Sequence, residues 1–306
     1  MQTIWKILDY FFLLRPTLFF PLWTIVLAGR YISGSGSSLF TVFSAFGILM
    51  GSVYVINQIF DIRSDKDNRK LFLIADEYIS IKAASIYAAI AGAAGIFGLF
   101  GIGTGYGIIA LLFFLATGIF YNISPFRWKD NPILGPLVSV FGGAAAFFLG
   151  ALPEFNGEII LSSSPYLAAF CAVSILTTVP DMEGDASSGK RTIALQMGPG
   201  AVSMLALIMC VIAALSGWRL SDRLIFWPAL ISIPIFAHAA LTNGRKSVVL
   251  AIKFSIFSLS LAVGFRFPLY ILLMGVYFLF ARWYYRNRFQ MEYPSFKMEY
   301  QVYQKK

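Results

Sequence analysis

Asn57, Asp61 and Asp65 stand four residues apart in a chain that is otherwise mostly apolar, and Asp181 and Asp185 repeat that spacing much later. Residues at i and i+4 share one face of a helix. Eight of the fifteen acidic residues lie in or just after these two segments: Asp61, Asp65, Asp67, Asp76, Glu77, Asp181, Glu183 and Asp185. Carboxylates beside hydrocarbon are costly and are kept where they serve a function. An oxygen-only donor set suits Mg²⁺, a hard cation commonly held by a few carboxylates together with phosphate oxygens. Two such sets predict a site that holds bridging Mg²⁺ ions against a diphosphate and neutralises its charge as it leaves. The bland alternative has the acids merely solvating helix ends beside Arg63, Lys66 or Arg69. That explains one cluster well and two matched clusters poorly.

The elements that must carry these residues are membrane helices. With 58% hydrophobic residues, 13% charged residues and a mean hydropathy of +0.74, the chain has too little charge to cover a soluble surface. Apolar runs long enough to cross hydrocarbon occur near 11–33, 38–60, 82–101, 104–121, 132–152, 165–180, 199–217, 223–241, 247–265 and 267–285. Backbone groups must be satisfied internally within lipid, so each run is predicted to be a helix. The expected fold is an all-α, polytopic integral membrane bundle of ten helices. With both termini in the cytoplasm, 18 of the 24 basic residues fall in cytoplasmic segments, and four (Arg30, Arg219, Arg223 and Arg266) fall in the opposite loops. The positive-inside rule favours that orientation. In it the first acidic segment closes helix two and the second closes helix six, on the same cytoplasmic face. The amino end, with Lys6 before a long span containing Arg15, shows no clear cleavage site of a secretory signal.

The net charge of +9 is dispersed over many loops. It reads as topology and contact with anionic membrane lipids, and not as a nucleic-acid footprint. Cys171 and Cys210 fall inside apolar runs and are expected to be core residues, with no disulfide or metal role. His238, the sole histidine, sits mid-span away from both acidic segments and is expected to pack.

Asn57-x₃-Asp61-x₃-Asp65, followed by Pro180-Asp181-x-Glu183-Gly184-Asp185-x₃-Gly189-Lys190-x-Thr192, resembles the two signature motifs of the UbiA-type intramembrane prenyltransferases. Arg15-Pro16 opens the first helix as in that family, and Tyr121-Asn-Ile-Ser-Pro125-Phe-Arg127-Trp-Lys129 resembles its Tyr…Pro…Arg-x-Lys segment. Gln58, with Asp65-Lys66-x-Asn68, is most similar to the homogentisate-prenyltransferase branch. Two segments depart from the pattern. Leu71 to Tyr78 lacks the Pro and Ser-Gly usual after the first motif, and Thr177-Thr178 stand where many members carry Lys-Asp.

The resemblance implies a nine-helix core over residues 1–265, with residues 266–306 adding a tenth helix and a cytoplasmic tail. It also implies a prenyl diphosphate bound through Mg²⁺ at Asn57, Asp61, Asp65, Asp181 and Asp185, its tail in an apolar tunnel. Loss of diphosphate would leave an allylic cation for a lipophilic acceptor, aromatic in the nearest branch, to attack. Arg69, Lys70, Lys129, Lys190 and Arg191 would meet phosphate oxygens at the cytoplasmic rim. Tyr121 would shield the cation with its π face. Asp61 or Asp181 would take the acceptor's proton, and nothing in the sequence decides between them. Two other functions compete. A terpene cyclase on the same fold would close the cation on itself without an acceptor. A cation or substrate transporter would place its site near the bilayer midplane in broken helices, whereas these carboxylates lie at helix ends beside cations.

Overall fold

The computed structural model describes residues 2–34, 38–67 and 72–294, and these are helical almost throughout, with no strand among them. In chain order the helices are α1 Gln2–Leu13, α2 Phe19–Ser33, α3 Leu39–Phe60, α4 Ile62–Asp67, α5 Phe72–Ala75, α6 Ile81–Phe100 and α7 Thr104–Phe113. There follow α8 Leu134–Ala151, α9 Gly157–Leu176, α10 Met182–Ser187, α11 Ile193–Arg219, α12 Arg223–Thr242, α13 Arg245–Arg266 and α14 Pro268–Phe289. Eight stretches are long and apolar enough to cross a membrane: residues 3–33, α3, α6, α8, α9, α11, α12 and α13. α7 with its π-helical continuation Phe114–Phe120 is apolar but shorter. α14 is 22 residues long and carries Arg282, Arg286 and Arg288 in its last turns. All ten expected crossings are therefore helical. The protein is a multi-pass integral membrane bundle.

The structure corrects the course of three helices. The first was expected near 11–33, opened by Arg15-Pro16; the chain is already helical from Gln2, breaks after Leu13 and resumes through a short 3₁₀ turn, Pro16–Leu18. Pro16 has no N–H to continue the ladder, and Arg15 before it is left-handed at φ 56°. The break frees the Leu13 carbonyl, which accepts a hydrogen bond from Gln58 Nε2 at 3.0 Å. The sixth and seventh helices were expected to begin at Pro165 and Pro199. Instead α9 starts at Gly157, capped by Asn156 Oδ1 on the Ile159 N–H at 3.0 Å, and carries Pro165 inside it. α11 starts at Ile193 and kinks at Gly198, φ 79°, just before Pro199. Prolines are tolerated within membrane helices where freed backbone groups find other partners, so neither Pro165 nor Pro199 marks a helix end here.

The chain forms two compact units, one of residues 1–20, 39–126 and 269–306, the other of residues 21–38 and 127–268. In the first, α3 packs along α6 over a core that includes Leu13, Val55, Ile74, Ala84 and Ala88. Tyr285, Phe289 and Met291, from the carboxyl end, cover that core. In the second, α11 packs against α9 and α12, and α12 against α13, around Leu176, Val202, Ala206, Phe236 and Val248. Two glycines there set a close approach of α2 to α8. A Cβ on Gly29 would overlap the Phe147 carbonyl, and one on Gly150 would overlap the Val26 carbonyl. Small residues let membrane helices meet backbone to backbone in this way. The first acidic segment belongs to the first unit and the second to the second.

Candidate active site

Although α3 ends at Phe60, its hydrogen-bond ladder continues. The Asp61 N–H bonds the Asn57 carbonyl at 2.9 Å, and the Asp65 N–H bonds the Asp61 carbonyl at 2.8 Å. Asn57, Asp61 and Asp65 therefore keep successive turns of one helical stripe, as their spacing predicts. Asn57 Nδ2 donates to Asp61 Oδ2 at 2.8 Å and to Asn122 Oδ1 at 3.0 Å. Asn122 is completely buried, and its Nδ2 donates to the Thr117 and Gly118 carbonyls, both at 3.0 Å. Those carbonyls lie in the π-helical stretch, whose last turn closes with the Tyr121 N–H on the Ala116 carbonyl five residues back. A π turn inside an α-helix often accompanies a functional site. Sequence reading passed over Asn122; the available signal was a polar amide at the apolar helix end beside Tyr121.

The second acidic segment was expected to close the sixth helix. It lies instead on the separate short helix α10, after α9 has ended at Leu176. The i, i+4 relation survives: the Asp185 N–H bonds the Asp181 carbonyl at 2.9 Å. Asp185 is buried and pairs through Oδ1 with Lys190 Nζ at 3.1 Å, while the Lys190 N–H bonds the Asp185 carbonyl at 3.0 Å. Gly189, left-handed at φ 74°, turns the chain back to make both contacts. Arg191, the next residue, is exposed. Lys129 sits on the 3₁₀ turn Trp128–Asp130 with only 7% of its surface exposed, a depth lysines seldom reach unless they are paired. Its neighbour Arg127 is exposed and pairs with Asp130 at 2.8 Å. Arg69 and Lys70 lie outside the described residues.

The donor set fits a hard divalent cation. Each motif offers carboxylates four residues apart, one helical turn from each other. Among the described residues, no three acidic, cysteine or histidine side chains gather into a group able to hold an ion. Mg²⁺ is usually bound in this fashion, by one or two carboxylates at a time, with water and substrate phosphates completing its shell.

Residues 17–248 match the UbiA prenyltransferase family. Homogentisate phytyltransferase of Synechocystis is 30% identical over 177 residues, which cover 54% of this chain and 57% of that protein. Digeranylgeranylglyceryl phosphate synthase of Methanopyrus kandleri is 26% identical over 219 residues, 67% of this chain and 76% of that one. The chain thus spans little more than half the length of the Synechocystis relative. Among solved structures, a UbiA homologue from Archaeoglobus fulgidus bound to GPP and Mg²⁺ superposes with a TM-score of 0.64. That superposition covers 83% of this chain and 99% of the other at 18% identity, a likeness of fold. Both acidic segments, Tyr121 and Lys129 fall within the matched residues, and the chain belongs to the UbiA prenyltransferase family.

Proposed function

We propose that the protein transfers an isoprenyl group from a prenyl diphosphate to a lipophilic acceptor within the membrane, assisted by Mg²⁺. The observation that carries this reading is one device used twice. Asp61/Asp65 and Asp181/Asp185 are each fixed on a helical turn by a backbone hydrogen bond, of 2.8 and 2.9 Å. In the proposal Asn57, Asp61, Asp65, Asp181 and Asp185 hold the metal, whose charge offsets that of the departing diphosphate. Lys129, Lys190 and Arg191, with Arg69 and Lys70 after the first motif, bind phosphate oxygens through charge-assisted hydrogen bonds. The allylic C–O bond breaks with its electron pair leaving on the diphosphate. The ring face of Tyr121 shields the resulting cation. The acceptor supplies the electron pair of the new bond, and its proton passes to a motif carboxylate, Asp61 or Asp181.

An aromatic acceptor is proposed because Gln58 and Asp65-Lys66-x-Asn68 resemble the branch to which the homogentisate relative belongs. The site is proposed to face the cytoplasm with both termini, on the placement of 18 of the 24 basic residues. Residues 1–265 are proposed as the transferase core and residues 266–306 as an added helix and tail. The test is product analysis by mass spectrometry. Purified protein is given Mg²⁺, prenyl diphosphates of increasing length and a panel of aromatic and non-aromatic acceptors. Diphosphate release coupled to a prenylated acceptor, and abolished by excess EDTA, is the expected result. Release of diphosphate and hydrocarbon without an acceptor would make the protein a terpene cyclase. Solute flux that needs Asp61 and Asp181 but releases no diphosphate would make it a transporter.

A further inference from the structure

We infer that Asn122 is a positioning residue for the first acidic motif. It orients the amide of Asn57 so that the Asn57 nitrogen holds Asp61 and the Asn57 oxygen is left for a divalent cation. This rests on the proposed function, in which that motif binds Mg²⁺.

The argument runs outward from the backbone. Carbonyl oxygens only accept hydrogen bonds, so the part of Asn122 that lies 3.0 Å from both the Thr117 and Gly118 carbonyls is its NH₂ group. Its Oδ1 is then the atom facing Asn57, at 3.0 Å. That oxygen is again only an acceptor, so Asn57 presents its Nδ2, and the same nitrogen lies 2.8 Å from Asp61 Oδ2. Donor and acceptor polarity is thereby set along the whole chain, whichever way either amide is first drawn. Among the described residues Asn57 Oδ1 accepts no hydrogen bond. An amide oxygen beside the carboxylate of Asp61, with Asp65 on the next turn, is an oxygen donor set of the kind Mg²⁺ takes. The π-helical stretch gives the arrangement its anchor. Its wider turn leaves carbonyls for a side chain to satisfy, and Asn122 satisfies two of them while wholly buried. Without Asn122, the Asn57 amide is free to turn and Asp61 loses a fixed donor.

Groups that orient metal ligands typically change metal affinity or activity by about 10–100-fold when removed. The test uses Mn²⁺ as the probe, its binding to the full-length protein in detergent followed by electron paramagnetic resonance, with and without inorganic diphosphate. Asn122→Ala should weaken Mn²⁺ binding by about tenfold or more, and Asn57→Ala should do the same. The double variant should be little worse than Asn57→Ala alone, because both changes remove one device. Asn122→Ser keeps a hydroxyl donor near the π-turn carbonyls but is too short to reach Asn57. It should fold with a near-native melting temperature and still lose Mn²⁺ affinity. In turnover, either Asn122 variant should raise the half-saturating Mg²⁺ concentration and leave kcat at saturating Mg²⁺ close to native. A merely structural role would lower kcat at every Mg²⁺ concentration. Native Mn²⁺ affinity in Asn122→Ser, or fully additive losses in the double variant, would overturn the inference. Absence of Mn²⁺ binding by the wild-type protein would instead remove the proposed function on which it rests.

Discussion

In the proposed mechanism, charge more than shape is what Asp61 and Asp181 contribute. Asp61→Asn and Asp181→Asn keep the volume but remove a ligand charge that balances the leaving diphosphate, so each should lower kcat by about a hundredfold or more. Melting temperatures should stay near native, and a variant that keeps most of its turnover would show that its carboxylate is not a ligand. Asp185 should behave differently, because it is buried against Lys190 at 3.1 Å. Asp185→Asn removes the charge from this buried contact and should cost stability as well as activity, by about 1–3 kcal/mol. In the proposed mechanism the ring of Tyr121 is the working part, so Tyr121→Phe should keep most activity and Tyr121→Ala should chiefly lower kcat. Equal damage from both would assign the work to the hydroxyl. The motif residues were legible in the sequence because their relation is local, one helical turn apart. Asn122 and Gln58 were not legible as partners, since they act on Asn57 and Leu13, 65 and 45 residues away.

Helices were easy to find and their interruptions were not. Hydropathy registers how long a segment stays apolar, so it located the eight stretches long and apolar enough to cross, together with the helices α7 and α14. It has no term for a backbone that breaks at Arg15-Pro16 and is repaired by a side chain from another helix. Nor did it separate α10 from α9, because a short turn at Thr177–Pro180 barely changes composition. Close helix packing takes a specific form where α2 approaches α8. At Gly29 and Gly150 an added methyl group would meet a backbone carbonyl, which cannot rotate away as a side chain can. Gly29→Ala and Gly150→Ala should each destabilise the protein by about 1–3 kcal/mol, the usual range for overpacking. Gly275, on α14, has no atom within 4 Å of an added Cβ, so Gly275→Ala is the matched control. Thermal unfolding in detergent reads the comparison. Equal melting temperatures for all three would mean that α2 and α8 separate at small cost.

Helices α1 and α14 are fastened together within the first unit. Asp9, 3% exposed, accepts from Tyr284 Oη at 2.7 Å, from Arg288 Nε at 3.2 Å and from Arg288 Nη2 at 3.0 Å. Phe12 stacks on Tyr284 with ring centroids 3.9 Å apart, and Trp5 stacks on Trp283 at 5.7 Å. The ion pair joins α1 to the last turn of α14, and the proposed ten-crossing arrangement expects these two segments at one membrane face. Thr3→Cys and Glu292→Cys, each in a background without Cys171 and Cys210, should both react with an impermeant maleimide from the cytoplasmic side only. Labelling from opposite sides would exclude the ten-crossing arrangement. The energetic role of the fastening can be separated from its geometry. Asp9 is buried although Arg288 is partly exposed, so Arg288→Ala strips the buried carboxylate of its cation and should cost up to about 3 kcal/mol. Replacing both partners by apolar residues, as in Asp9→Leu with Arg288→Leu, should recover most of that loss, because neither charge then has to be kept out of water. Thermal unfolding in detergent measures both variants. If the double variant is as unstable as the single one, the loss comes from disturbed aromatic packing around Tyr284 and not from the stranded carboxylate.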